Sequence, residues 1–211
     1  MKKLLFMAAL GFSAAGFSQL NTTVEAGYAM SNLMVKPELG ENYEAKHGYY
    51  AGIGLERKWG ERIAVQLDAQ YANLGSKISA EDAGSKVTLT WNRHELITPL
   101  VFRYYITYEL GVYAGGFLGT KIGNNVKIKG SENIPQATLD EFAKSYKELL
   151  DKEVQGSNYG LVFGANYKIK GGFYANARYS LGLSNMIKNP AAGEEMKMNF
   201  LQVGVGYRFL E

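Results

Sequence analysis

The chain has 211 residues, of which 46% are hydrophobic and 20% charged, so it can bury a core and is not disordered by composition. It has no cysteine, which excludes a disulfide framework, a thiolate metal site and a cysteine nucleophile. The net charge of +3 falls to +1 without Lys2 and Lys3, which gives no case for nucleic-acid binding. The 25 glycines and 15 tyrosines beside only 4 prolines favour a β architecture.

The first eighteen residues have the pattern of an export signal. A short positive region at residues 2–3 precedes an apolar run at residues 4–15. Small residues at Gly16 and Ser18 predict cleavage after Ser18, with Gln19 as the new amino terminus. The run is too short for a membrane anchor, which needs ~20 apolar residues. No later stretch is long and apolar enough either, so any membrane span of the mature chain is expected to be β.

Apolar and polar residues alternate with a period of two in eight segments of the mature chain, each of roughly 9–13 residues. The connections alternate between tight turns and long polar loops. The tight turns are at 59–61, 106–107 and 170–171, and the long loops at 32–46, 75–86, 123–156 and 185–195. An even strand count with short turns at one end is typical of a transmembrane barrel. The pattern predicts an eight-stranded antiparallel up-and-down transmembrane β-barrel over residues 19–209.

A soluble exported barrel of the lipocalin type is the alternative, because alternation alone does not say which face is inside. The polar face is rich in glycine and carries single long charged side chains, which suits a narrow lumen filled by side chains. Aromatic residues also gather near the tight turns, as in the girdle of a membrane barrel. These aromatic residues are Trp59, Tyr104, Tyr105, Tyr108, Tyr167, Phe173, Tyr207 and Phe209.

The last segment carries a short signature. Gln202, Gly204, Tyr207 and Phe209 resemble the carboxy-terminal signal that the barrel-assembly machinery reads on bacterial outer-membrane proteins. Residues 210–211 follow the terminal aromatic residue, and they are either a native tail or a cloning remnant.

Four segments resemble the PorT-like outer-membrane β-barrel family. They are 95–105 (ELITPLVFRYY), 159–169 (YGLVFGANYKI), 174–186 (YANARYSLGLSNM) and 201–209 (LQVGVGYRF). The export signal is similar to those of Bacteroidetes exported proteins. The resemblance implies an eight-stranded barrel in the outer membrane of a Gram-negative bacterium. The founding member of the family is linked to type IX secretion, most members have no assigned activity, and the family offers no catalytic motif.

Nine charged residues are expected on the inward face of the barrel. Buried charges must be paired or neutralised, so we interpret them as an ion-pair network that fills the lumen, with a proton or ion path as the alternative. The nine are Glu25, Glu56, Asp68, Glu95, Arg103, Glu109, Lys168, Arg178 and Arg208. Because Glu95, Arg103 and Glu109 surround one tight turn, we expect these three near one another.

Residues 91–95 contain His94, next to Glu95, and break the apolar register, which indicates a bulge or the end of the bilayer span. Some small outer-membrane barrels are lipid-modifying hydrolases that use His, Ser and an acid. This chain has only His47 and His94, and no motif places a serine beside either. The sequence therefore predicts no catalytic residue, no cofactor and no metal site.

A helix of about 14 residues is predicted inside the third long loop, 123–156. Thr138 and Glu141 have the spacing of a capping box, and Asp140 and Glu141 would lie in the first turn. Five apolar residues recur at helical spacing: Leu139, Phe142, Tyr146, Leu149 and Leu150. A helix this short is marginal alone, so this face either packs over the barrel mouth or docks on a partner protein or the lipid surface.

These observations favour a non-enzymatic structural or interaction module in the outer membrane, such as an accessory subunit of a secretion or assembly complex. Its expected partners are membrane lipid, the barrel-assembly machinery during biogenesis, and a protein bound through the extracellular loops. The alternatives are an outer-membrane lipid-modifying hydrolase, a small pore and the soluble binding barrel.

The location can be tested directly. The mature protein should fractionate with the outer membrane and migrate faster on gels when unheated than when boiled, because a closed barrel resists unfolding by detergent at low temperature. Recovery as a soluble periplasmic protein would contradict the barrel prediction.

Overall fold

The computed structural model describes residues 20–36, 43–82, 85–130 and 135–209. The predicted signal peptide, its cleavage site at Ser18 and Gln19, and residues 210–211 lie outside this part of the chain. The strands are β1 Leu20–Lys36, β2 Tyr43–Glu44, β3 Lys46–Trp59, β4 Ile63–Asp82, β5 Ser85–Tyr105, β6 Leu110–Lys129, β7 Ser157–Lys168, β8 Phe173–Gly182 and β9 Glu195–Arg208. One helix, α1, spans Gln136–Glu153 between β6 and β7.

Eight strands form a closed ring. In the order β1, β3, β4, β5, β6, β7, β8, β9, each strand pairs antiparallel with the next, and β9 pairs again with β1. The two-residue strand β2 only adds to β4 outside the ring. Closure leaves no open edge, so the backbone groups of the ring are satisfied between strands. The predicted eight-stranded up-and-down barrel, with a helix in the third long loop, is confirmed.

The apolar residues point outward and the polar residues inward. Ile53, Phe102 and Val205 are examples of exposed apolar residues on the outer wall, whereas Glu56 and Gln202 are buried inside. A soluble binding barrel would need the opposite arrangement, with an apolar lumen and a polar exterior. The lipocalin-type alternative is therefore wrong for this chain.

The strands differ strongly in length. β4, β5 and β6 have 20, 21 and 20 residues, whereas β7 and β8 have 12 and 10. The barrel has a turn end, with the three tight turns, and a loop end, where β4–β6 rise above the rest of the wall. Most of the segment expected as a loop at 75–86, and the start of the one at 123–156 as far as Lys129, is strand instead. The ladder continues there because its inner face, with Trp91 and Val126, is apolar and covered.

The irregularity expected at 91–95 is present as a register shift in the β5–β6 pairing. His94 pairs with Gly123 and Glu95 pairs with Lys121, which leaves Ile122 of β6 as the extra residue. The bulged residue therefore belongs to the neighbouring strand, while Trp91, Arg93 and Glu95 keep the inward alternation of β5.

Glycines make room for tyrosine rings on the inner wall. A Cβ added at Gly204 would overlap the Tyr50 hydroxyl, and one at Gly206 would overlap the Tyr174 ring. Gly164 leaves space for Tyr113 in the same way. These rings lie against backbone rather than against side chains, so large polar aromatic residues fit inside a narrow ring of strands.

The helix begins differently from the prediction. Its N-cap is Pro135, which makes no side-chain cap, and the first turn contains no acidic residue. The capping box of Thr138 and Glu141 is therefore wrong, because the helix starts at Gln136, most of a turn earlier than a Thr138 N-cap would give. Among the described residues, no helix has the length and apolarity needed to cross a membrane.

The final strand generates a test of assembly. Phe209 is exposed at the turn end, and its ring centroid is 5.1 Å from that of Tyr207. Because this residue has few inward contacts, Phe209→Ala in a chain ending at residue 209 should slow insertion more than it lowers the stability of inserted protein. The rate at which the heat-modifiable band appears in cells measures this. The control is Tyr167→Ala, which removes another exposed aromatic residue at the turn end. An equal rate for Phe209→Ala and wild type would show that the carboxy-terminal signature is only the ordinary alternation of a strand.

Candidate functional site

The first group of lumen charges lies beside the turn end, where strands β3, β5 and β9 finish. Glu56 accepts hydrogen bonds from Arg103, from the Tyr105 hydroxyl at 3.0 and 2.9 Å, and from Arg208 Nη2 at 3.5 Å. All four residues are buried. A carboxylate placed between two guanidinium groups is stable inside the wall because its charge is compensated and hydrogen-bonded.

The second group crosses the middle of the lumen around Glu25. Its carboxylate accepts hydrogen bonds from the Tyr50 hydroxyl at 2.5 Å, the Tyr174 hydroxyl at 3.2 Å and Asn176 Nδ2 at 2.8 Å. Asn176 in turn accepts from the Tyr113 hydroxyl at 2.7 Å. Neutral donors therefore surround this carboxylate on several sides.

A second carboxylate of the middle group, Asp68, is tied to the same network. Arg178 Nη2 donates to it at 2.9 Å, and Arg178 Nε donates to the Tyr113 hydroxyl at 3.2 Å. Gln70 also donates to Asp68 at 3.3 Å and accepts from Gln202 at 3.3 Å. The bonds thus run without a break from Gln202 on β9 to Glu25 on β1.

The third group connects the wall to the loops. Arg93 is fully buried and forms an ion pair with Glu95. Its other nitrogens donate to the backbone carbonyls of Gln155 at 2.9 Å and Gly156 at 3.2 Å. This arginine therefore holds the segment that follows α1 at the mouth of the barrel.

Apolar side chains close the mouth above Arg93. Val154 and Met186 come from the loops and are buried with Trp91 and Met198 of the wall. The two loop segments are joined by a β-bridge between Val154 and Ile187. The mouth is consequently covered by packed side chains on top of a layer of ion pairs.

Helix α1 is fastened to this cover at its carboxy-terminal end. Lys188 Nζ donates to the carbonyls of Asp151 at 2.9 Å and Lys152 at 2.7 Å. Lys121 Nζ donates to the Asp151 carboxylate at 2.6 Å, and this hydrogen bond lowers the pKa of Asp151. A cation at the helix carboxy terminus also interacts favourably with the helix dipole.

Seven of the nine charges expected in the lumen are buried there, and Glu109 and Lys168 are not. Glu109 is exposed in the β5–β6 turn, and Lys168 Nζ donates to the Tyr108 hydroxyl at 2.6 Å outside the lumen. The expected proximity of Glu95, Arg103 and Glu109 is also wrong. Glu95 lies eight residues along β5 from Arg103, and each has its own partner. That the network serves to fill the lumen, rather than to form a proton or ion path, stays a prediction.

Sequence reasoning missed several inward residues. Arg93 has the same parity as Glu95 on β5, which would have placed it inside. Tyr105 has the parity of Arg103, so its assignment to the outer girdle is wrong. Glycines on neighbouring strands were the signal that could have placed Tyr50, Tyr113 and Tyr174 inside the lumen.

The remaining predicted residues have clear positions. Gln202 is buried, Gly204 faces the lumen, Tyr207 packs on Phe173 at 4.9 Å between ring centroids, and Phe209 is exposed. On α1, Leu139 and Leu150 are buried and Tyr146 is partly buried, whereas Phe142 and Leu149 are 65% and 57% exposed. The five apolar residues predicted at helical spacing therefore divide into a face that packs on the barrel and an exposed edge.

Both histidines lie on the outer wall in contact with tyrosines. His94 Nδ1 is 2.6 Å from the Tyr71 hydroxyl, and His47 Nδ1 is hydrogen-bonded to the Tyr28 hydroxyl. In the part of the chain that the structure describes, no group of three or more His, Cys, Asp or Glu residues could hold a metal ion.

The lumen network generates a test of stability. Arg103→Ala leaves the carboxylate of Glu56 with less compensation, so the free energy of unfolding should fall by ~3–5 kcal/mol. Adding Glu56→Gln removes the buried charge and should recover part of the loss, whereas Lys170→Ala, in an exposed turn, should stay within ~0.5 kcal/mol of wild type. Urea unfolding in vesicles measures all three. An unfolding midpoint for Arg103→Ala equal to wild type would show that the ion pair contributes nothing.

Comparison with known proteins agrees with this geometry. A family model described as "Outer membrane protein beta-barrel domain" matches residues 8–188. No curated protein matches the sequence.

Solved structures of other barrels are similar over most of their length. Ail, the attachment invasion locus protein of Yersinia pestis, crystallised with the heparin analogue sucrose octasulfate, is 16% identical, with 90% of this chain and 99% of that chain covered and a TM-score of 0.45. Neisserial surface protein A is 11% identical, with 89% and 97% covered and a TM-score of 0.47. OprG from Pseudomonas aeruginosa is 15% identical, with 93% and 99% covered and a TM-score of 0.43. The family match, on a closed barrel with an apolar exterior, shows that this chain belongs to the outer membrane protein beta-barrel domain family and lies in the outer membrane.

Proposed function

We propose that this barrel is a non-enzymatic anchor that presents α1 and the neighbouring loops to a protein partner outside the cell. It would act as an accessory subunit of a secretion or assembly complex, the role that the PorT-like resemblance suggests. The observation that carries the proposal is the exposed apolar edge of α1, which is held on a rigid base. Large exposed apolar residues that are fixed in place are typical of protein interaction sites.

The exposed edge adjoins an apolar groove. Phe142 and Tyr146 of α1 border this groove of about 330 Å³ together with Leu139 and with residues of the raised strands. The strand residues are Val87, Leu89 and Ile128. A groove with an aromatic residue at its edge suits an apolar side chain of a partner.

The contacts at the mouth make this surface rigid. The bonds from Arg93 to the carbonyls of Gln155 and Gly156, and those from Lys188 to the last turn of α1, fix the helix at its carboxy-terminal end. A surface that is already ordered loses less conformational entropy on binding. The same contacts cover the lumen, which supports an anchor rather than a pore.

The neighbours of His94 also support a non-enzymatic role. Its Nδ1 is within hydrogen-bonding distance of the Tyr71 hydroxyl at 2.6 Å and of Asn73 Nδ2 at 3.4 Å. An imidazole that contacts a tyrosine and an amide on the outer wall is in the position of an interface residue of the membrane.

The proposal is tested by substitution of the exposed edge. The double variant Phe142→Ser/Leu149→Ser should reduce the recovery of a partner, in cross-linked affinity purification from native outer membranes, by roughly ten-fold, as expected for the loss of two interface anchors. The matched control is Glu141→Ser/Glu148→Ser, which changes two exposed polar residues of the same helix. Heat-modifiable migration verifies that each variant folds.

Two results would contradict the proposal. One is equal recovery of the partner with the wild type and the Phe142→Ser/Leu149→Ser variant. The other is steady ion conductance by the purified wild-type protein in planar bilayers, since a covered lumen should not conduct.

A further inference from the structure

The turn end carries an excess of basic residues. In the described turns and the strand ends beside them there are seven basic residues and three acidic ones. The basic residues are Arg57, Lys58, Arg62, Arg103, Lys168, Lys170 and Arg208, and the acidic ones are Glu56, Glu61 and Glu109. Arg103 and Arg208 are buried against Glu56, so five basic and two acidic residues remain at the surface of this end.

Three of these surface cations contact aromatic residues of the outer wall. The Arg57 guanidinium lies 5.8 Å from the Trp59 ring centroid. Arg62 Nη1 donates to the Tyr104 hydroxyl at 3.3 Å. Lys168 Nζ lies 4.2 Å from the Tyr108 ring centroid.

The aromatic partners fix the depth of these cations in the membrane. Trp59, Tyr104 and Tyr108 are exposed on the outer wall at the end of the apolar band. Tryptophan and tyrosine in this position lie at the level of the lipid headgroups. The cations are therefore held at the level of the headgroup phosphates of the adjacent leaflet.

A cavity opens between two turns at the same level. It has a volume of about 540 Å³ and lies between the β3–β4 turn and the β5–β6 turn. Its lining residues are Lys58, Glu61, Arg62, Tyr105, Ile106, Thr107 and Tyr108. Cavities of ~300–1,000 Å³ are large enough for a small ligand or a headgroup.

The lining has the charge pattern of a zwitterionic headgroup. Lys58 and Arg62 supply the donors that a phosphodiester requires, and Glu61 supplies an acceptor for an ammonium group. Ile106 and Tyr108 are exposed beside the cavity and can contact the first carbons of an acyl chain. We propose that this cavity binds the headgroup of a phosphatidylethanolamine-type phospholipid of the periplasmic leaflet, with the phosphate at Lys58 and Arg62 and the ammonium at Glu61.

Lipid retention in native mass spectrometry tests the proposal. The full chain in detergent is titrated with palmitoyl-oleoyl-phosphatidylethanolamine, and the lipid-bound fraction is measured. Lys58→Gln/Arg62→Gln should weaken binding by roughly 25-fold, since each cation near a charged headgroup contributes about a factor of five. The control Lys127→Gln/Lys129→Gln removes two exposed charges at the opposite end and should bind as the wild type does.

The same titration assigns the role of Glu61. The wild type should retain phosphatidylethanolamine better than phosphatidylcholine, whose quaternary ammonium cannot donate a hydrogen bond, and Glu61→Gln should remove this preference. Heat-modifiable migration verifies the fold of every variant. Wild-type retention by the Lys58→Gln/Arg62→Gln variant, equal weakening in the control, or displacement of the lipid by an equal concentration of inorganic phosphate would each overturn the proposal.

Discussion

The pairing of β1 with β9, from Thr23 opposite Arg208 to Lys36 opposite Glu195, is the interaction on which the rest of the structure depends. It turns a meander into a ring and removes the only pair of edges that the meander would leave. The ring then forces half of the side chains into a space that eight strands make just wide enough to fill. Polar groups in that space cannot rely on bulk water, so each charge needs a hydrogen-bonding or charged partner inside the ring. Glu56 on β3 is bound to Arg103 on β5, and it gains its second guanidinium, Arg208 on β9, only after closure.

The two ends of the barrel have different structures. At the turn end, the chain reverses in a few residues, and positive φ values at Gly60 and Gly171 allow two of these reversals. At the loop end, β4–β6 rise above the short β7 and β8, which leaves one tall side with an apolar inner face. Helix α1 covers this face, and Met186 covers the opposite side from the loop after β8. The helix therefore belongs to the core of the molecule as well as to its surface.

The alternation of side chains predicted the eight strands of the ring, because period-two patterning depends only on the geometry of a strand. The glycines and single charges of the polar face, with the aromatic residues near the tight turns, were needed to predict that the polar face lines the lumen. The alternation predicted the wrong side of the wall for residues at strand ends. Glu109 and Lys168 have inward parity, but the wall stops beside them, so they turn to solvent and to Tyr108. It also could not give the partners, since Arg103 and Glu95 are close in sequence yet bind Glu56 and Arg93. The pairing of Arg103 with Glu56 depends on how the strands are staggered around the ring, whereas Arg93 and Glu95 are two residues apart on one strand. The start of α1 at Gln136, after the N-cap Pro135, shows the same limit, because a good capping sequence competes with the packing of the whole helix.

The glycines beneath the tyrosines give the closed state a spectroscopic signature. At Gly204 the position of the missing Cβ is occupied by a hydrogen that points at the hydroxyl end of the Tyr50 ring, and at Gly206 by one that points at the ring of Tyr174. A proton held close to an aromatic ring experiences its ring current, and the ring itself can rotate only when the wall moves away. At Gly204 both effects require strands that are distant in sequence, since Tyr50 belongs to β3 and Gly204 to β9. Tyr174 and Gly206 are opposite each other on the consecutive strands β8 and β9, so it is the Hα chemical shift of Gly204 that reports on closure of the barrel from inside the wall, without any label placed on the surface.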